Sequence, residues 1–180
     1  MKRNIIHSAV ILVSAVLLTG CAANASSEQQ LPAVLFYTET VNPADENGES
    51  AVQITMLMQN GTVYSGSGGQ TMDEIAAQYD AGTLAEHYTL QKCAVSPDTA
   101  AAQYRKLCKA AADAYPQIVY EPDCIPDVEA PWTYWYSYMV QEDGTKLHIT
   151  MGKTFSGIEF YTDNETVNAV CQWYKDALKG

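Results

Sequence analysis

The sequence predicts an α+β domain, a mainly antiparallel sheet of two meanders with about three helices packed on one face. Three observations point there. Runs rich in β-branched and aromatic residues recur around Asn60-Gly61-Thr62 and Asp143-Gly144-Thr145, the dipeptides most typical of tight hairpins. Capped stretches with helical spacing follow these runs. Leu147, Ile149 and Met151 alternate with Lys146, His148 and Thr150, as in a sheet with one core face and one wetter face.

The elements follow in order. Residues 31–41 and 51–59 read as strands separated by the polar turn 42–50, and 62–65 forms a third strand after the Asn60-Gly61 turn. Thr71 and Glu74 make a capping box that opens a short helix fading near Ala81-Gly82, and 88–95 reads as a further strand. Ser96 at the cap, Pro97 at the first helical position and Asp98 near the positive end of the dipole open the central helix. Ala101, Tyr104, Cys108, Ala111 and Tyr115 recur along its expected buried face, and Pro116 stops it. Residues 117–120, 132–140, 146–151 and 158–161 read as strands. Thr162 and Glu165 are expected to cap a last helix that buries Val167, Val170, Cys171, Tyr174 and Leu178. The Asn-Gly-Thr and Asp-Gly-Thr turns hint at an internal duplication.

The N-terminus has a different character. Lys2 and Arg3 precede an apolar run of fourteen positions from Ile5 to Leu18, shorter than the roughly 20 residues of a spanning helix and typical of a secretory signal. Leu18-Thr19-Gly20-Cys21 follows directly and resembles the lipobox of bacterial lipoproteins. The resemblance implies cleavage of residues 1–20, diacylglycerol in thioether linkage to Cys21, often a third acyl chain such as palmitate, and residence on the outer face of the cell membrane. Two or more acyl chains anchor a protein stably where one holds it marginally. Residues 22–30 (AANASSEQQ) then read as a tether that extends at most about 30 Å, leaving 31–180 as one extracytoplasmic domain. Outside the lipobox the chain resembles small uncharacterised envelope lipoproteins in general character only.

Removing residues 1–20 takes two basic residues and no acid, leaving 8 basic against 21 acidic residues and a net charge of −13. Such a chain repels nucleic acid and anionic membrane surfaces. Motifs of chemistry are mostly missing. His87 and His148 stand alone, below the three or four ligands of a zinc site, and no metal or cofactor is expected. Gly66-Ser67-Gly68-Gly69 precedes a capped helix, where a phosphate could be cradled; it lacks the lysine of a P-loop and reads as a flexible loop. Residues 120–129 carry four carboxylates but no EF-hand pattern and read as a solvated acidic loop.

One feature stands above this background. Trp132, Tyr134, Tyr136 and Tyr138 alternate along one strand, placing four rings on one face about 6.7 Å apart, with Trp135 facing the other way. Such a row is either a binding platform or core covered by helices, which is the commoner fate of strand aromatics. Cys93, Cys108, Cys124 and Cys171 lie in an exported domain where disulfides form. Helix length separates Cys93 from Cys108 by roughly 16 Å along the axis, which favours Cys93–Cys124 and Cys108–Cys171; four reduced thiols are the alternative. The leading expectation is a membrane-anchored binding module for a small-molecule, peptide or protein ligand. Behind it stand an extracytoplasmic hydrolase with a carboxylate-based site and a structural or inhibitory envelope protein.

Overall fold

The computed structural model describes residues 31–44, 48–119, 130–141 and 143–180. The lipobox, the tether, the acidic loop and Cys124 lie outside the described residues. Among those described, seven strands form one antiparallel sheet: β1 (Val34–Ala44), β2 (Ser50–Met58), β3 (Thr62–Ser67), β4 (Thr89–Ala94), β5 (Trp132–Val140), β6 (Lys146–Phe155) and β7 (Ile158–Tyr161). The spatial order is β4-β3-β2-β1-β5-β6-β7. The strands β1 and β5 therefore lie side by side at the centre, and each begins a meander that runs outward. This is the α+β architecture with two meanders that the patterning predicts.

The helices divide between the two faces. Helices α2 (Pro97–Asp113) and α3 (Glu165–Ala177) share one core with Phe36, Leu57, Ile149 and Met151 of the sheet. Helix α1 (Met72–Ala81) and the 3-10 turn Leu84–Glu86 put Ile75 and Leu84 into a second core with Val34, Tyr37, Ile54, Met56 and Tyr138. Single-face packing thus describes α2 and α3, and α1 closes part of the other side. A bulge between Val34 and Phe36 brings Leu35 and Phe36 into the same core, both fully buried. The carbonyl of Leu35 accepts a 2.6 Å hydrogen bond from the buried Ser137 hydroxyl, which satisfies a polar group that water cannot reach.

Several local readings are refined. Thr71 and Glu74 form the expected capping box, whereas Ser96 occupies the cap position of α2 without a side-chain bond. Asn164, not Thr162, caps α3 by accepting from Thr166 and Val167, because the Thr162 hydroxyl is already bound to Asn168. Of the expected strand 117–120, residues 117–119 carry one isolated bridge, Ile118 to Thr162, and Tyr120 lies outside the described residues. Tyr115 is exposed and donates to the carbonyl of His148; it lies beyond the last turn of α2, where the helical phase no longer sets its face. Gly66 and Ser67 prolong β3 rather than joining a flexible loop. A Cβ on Gly66 would stand 2.8 Å from the Tyr88 ring, so a side chain there would require that ring to shift.

The two Gly-Thr turns are built alike without being equivalent. The Asn60 carboxamide oxygen accepts from the Thr62 amide and hydroxyl at 3.0 and 2.6 Å, and Asp143 accepts from Thr145 at 2.9 and 2.6 Å. One joins the second pair of strands in its meander and the other joins the first pair, so their likeness is shared turn chemistry. Gly61 carries an added constraint. Its φ is +81°, and a Cβ would stand 1.9 Å from the carbonyl oxygen of Val95, which is the residue whose amide bonds Gly61.

Candidate functional site

The row on β5 acquires its neighbours from strand register. Tyr37, Glu39 and Val41 of β1 pair with Tyr136, Tyr134 and Trp132, while Lys153 and His148 of β6 pair with Tyr134 and Tyr138. Directly paired residues share a sheet face, so one surface carries the four rings, Tyr37, a carboxylate, an ammonium and an imidazole. Trp132 and Tyr134 lie with ring centroids 6.1 Å apart and planes within 15°, and Tyr134 and Tyr136 lie 5.7 Å apart within 2°. These are offset stacks in which ring faces are occupied by one another. What remains for a ligand is ring edges and phenol hydroxyls.

At one end the row is closed. Tyr138 and Tyr37 are buried with ring centroids 5.4 Å apart. Helix α1 lies over them, and Asp73 on that helix ion-pairs with Lys146, whose ammonium stands 5.9 Å from the Tyr138 ring. The Tyr37 hydroxyl lies 2.5 Å from Nε2 of His148. Burial pushes the Tyr37 phenol far above its ordinary range and pushes the His148 imidazole down. The two form a hydrogen bond whose donor is set by the imidazole tautomer. The imidazole is also 4.5 Å from the Tyr136 ring, and burial raises that phenol to about 12.

At the other end the row is open. Trp132 and Tyr134 are half-buried. Trp132 stacks on Phe155 at 3.9 Å, and Lys153 Nζ stands 5.2 Å from the Trp132 ring and 4.8 Å from Phe160. Glu39 is half-buried, and its desolvation raises the carboxyl above the usual range. One rung across three strands therefore reads Glu39, Tyr134, Lys153, with opposite charges either side of a phenol. Among the described residues no three His, Cys, Asp or Glu side chains gather as metal ligands would.

Sequence patterning placed the four rings together but missed Tyr37, Glu39, His148 and Lys153 as their neighbours. The alternation Tyr37, Glu39, Val41 put those three on one face, yet nothing local says which strand β1 adjoins. The cysteines contribute no bridge among the described residues, where Cys93, Cys108 and Cys171 are free thiols. The expected Cys108–Cys171 bridge is absent here, and both residues are free thiols in the core that α2 and α3 share. Cys108 is buried on α2, and Cys171 Sγ lies against Gly152 of β6. Burial raises the Cys171 thiol to about 12, which keeps it protonated and unreactive. Cys93–Cys124 falls outside the described residues. Compared with known proteins, the chain matches no family model, no curated protein and no solved structure.

Proposed function

We propose that this chain is a lipoprotein anchored through Cys21 on the outer face of the membrane, and that its domain is a binding module using the open end of the β5 row. The observation that carries the second half is the half-buried pair Trp132 and Tyr134 flanked by Glu39 and Lys153. Large rings with polar tips offer contact area at low entropic cost. Charges of opposite sign on either side of Tyr134 suit a peptide or protein segment that itself carries both signs. The lipobox spacing of Leu18, Thr19, Gly20 and Cys21 after an apolar run supports the first half.

Native mass spectrometry of the full chain from its own cells, wild type against Tyr134→Ala, tests the binding module. The expected result is a retained partner that disappears in the variant while the domain stays folded, with a stability loss of roughly 1–2 kcal/mol for a half-buried ring. A partner retained equally by both proteins would end the assignment to this row. An enzyme reading draws on the same surface, because Glu39 is a carboxyl raised by burial and such groups serve as general acids. Turnover of a retained compound, abolished by Glu39→Gln, would favour it.

A further inference from the structure

A second site lies on the face opposite the aromatic row. There β5, β6 and β7 meet α3 around a cavity of about 350 Å3, with Trp135 and Leu178 as its apolar wall and Thr154, Glu159, Gln172 and Lys175 as its polar lining. A sheet face covered by helices is normally apolar, but register places a polar rung here. Thr40 pairs with Thr133, Thr133 with Thr154, and Thr154 with Glu159. The hydroxyls of Thr40 and Thr133 lie 3.0 Å apart. Above this rung Lys175 of α3 is only 7% exposed and bonds Glu159 at 3.0 Å, with its ammonium 5.2 Å from the Trp135 ring. Lys175 is thus buried beside half-buried hydroxyls, a polar surface where a helix-covered sheet face is ordinarily apolar.

We propose that this cavity takes one neutral, hydroxyl-bearing ring, a single sugar residue, seated against the Trp135 indole. Charge selects against an ionic ligand: Lys175 is paired with Glu159, and the rim lysine Lys179 with Asp176 at 2.7 Å. Size selects against an extended one, since the volume is at the small end of the roughly 300–1,000 Å3 of small-molecule sites. Chemistry selects for alternating apolar and hydroxylated surface. The indole meets the C–H face of a ring, and its hydroxyls meet the Thr154 hydroxyl, which also accepts from Trp135 Nε1, the Gln172 amide oxygen, whose nitrogen donates to Asp176, and the remaining lone pairs of Glu159. The Glu159 carboxylate is fixed from two sides, by Lys175 and by the Tyr161 hydroxyl. It is thus oriented before any ligand arrives, which lowers the cost of binding.

Ligand-observed NMR on the full chain tests this, with N-acetylglucosamine and methyl β-glucoside as probes and acetate and inorganic phosphate as ionic controls. The expected result is weak binding of a sugar and of neither ion. Gln172→Ala should weaken it about threefold to tenfold, as loss of one hydrogen bond would, and Tyr134→Ala should leave it unchanged. Gln172 is exposed, so its truncation leaves the fold intact, and a circular dichroism melt confirms that. Absence of sugar binding, or binding of the ions instead, overturns the proposal. Sugar binding lost in Tyr134→Ala and kept in Gln172→Ala also overturns it and moves the ligand to the aromatic row.

Discussion

Tyr138 and Trp132 sit six residues apart on one strand and one face, yet one belongs to the core and the other to the surface. Tyr138 is 8% exposed because α1 crosses the sheet above it, and Trp132 is half-buried beyond that cover. The strand treats the two alike, since β alternation sends both rings the same way. The difference comes from a helix some sixty residues earlier in the chain. A row of aromatics is therefore neither platform nor core as a unit. It changes from one to the other along its length, and Tyr136 marks the crossing.

The largest expected effect is at the closed end. Tyr37→Ala removes a buried ring that touches Tyr136, Tyr138 and His148 and should cost about 3–5 kcal/mol, the range for large aromatic truncations in cores. Urea titration followed by circular dichroism reads this directly. A loss below about 1 kcal/mol would place Tyr37 outside the core and erase the distinction between the two ends. Tyr136→Ala is expected to fall between, at roughly 1–2 kcal/mol for a half-buried ring. An effect as large as that of Tyr37→Ala would move the crossing toward Tyr134 and leave only Trp132 and Tyr134 for a ligand.

Sequence reading reached the same elements where the signal was local. The bounds of β5 and β7 are legible because alternation and flanking turns both mark them. The capping box at Thr71 is legible because two residues three apart satisfy each other. The reading failed where a local group had a better distant partner, as when Thr162 bonds Asn168 and leaves the cap to Asn164. Nor could patterning assign α1 to its face. Only Ile75 of that helix is fully buried, and a helix with one anchoring residue looks the same whichever side of the sheet it covers. The site was half legible for the same reason. The rings of β5 share a strand, whereas Glu39 and Lys153 reach Tyr134 only through register with β1 and β6. Lys175 was invisible altogether, because nothing in a helix pattern marks a lysine that will be buried over a polar rung.

The smallest expected effects are in pH dependence, and the two ends of the row should show opposite signs. His148, at the closed end, has a folded pKa below its ordinary 6.5. As pH falls through 6.5 the unfolded chain takes up the proton first, so the stability present above that pH is lost on acidification. Glu39, at the open end, has a folded pKa above its ordinary 4.5. Here the folded chain holds the proton longer, so stability present below 4.5 is lost as pH rises through the folded value. Thermal melts between about pH 4.5 and 7 separate the two. The Tm of Glu39→Gln relative to wild type should rise with increasing pH across that window, because the variant no longer forces a charge into a half-buried position. The Tm of His148→Gln relative to wild type should rise as pH decreases, because the variant has no imidazole to protonate. Both groups are partly exposed to solvent, so screening keeps each effect small, and the signs of the two slopes are the decisive reading. A flat difference for Glu39→Gln would mean that its carboxylate is solvated in the folded chain. The open end would then lack the desolvated charge on which recognition of an oppositely charged ligand group depends.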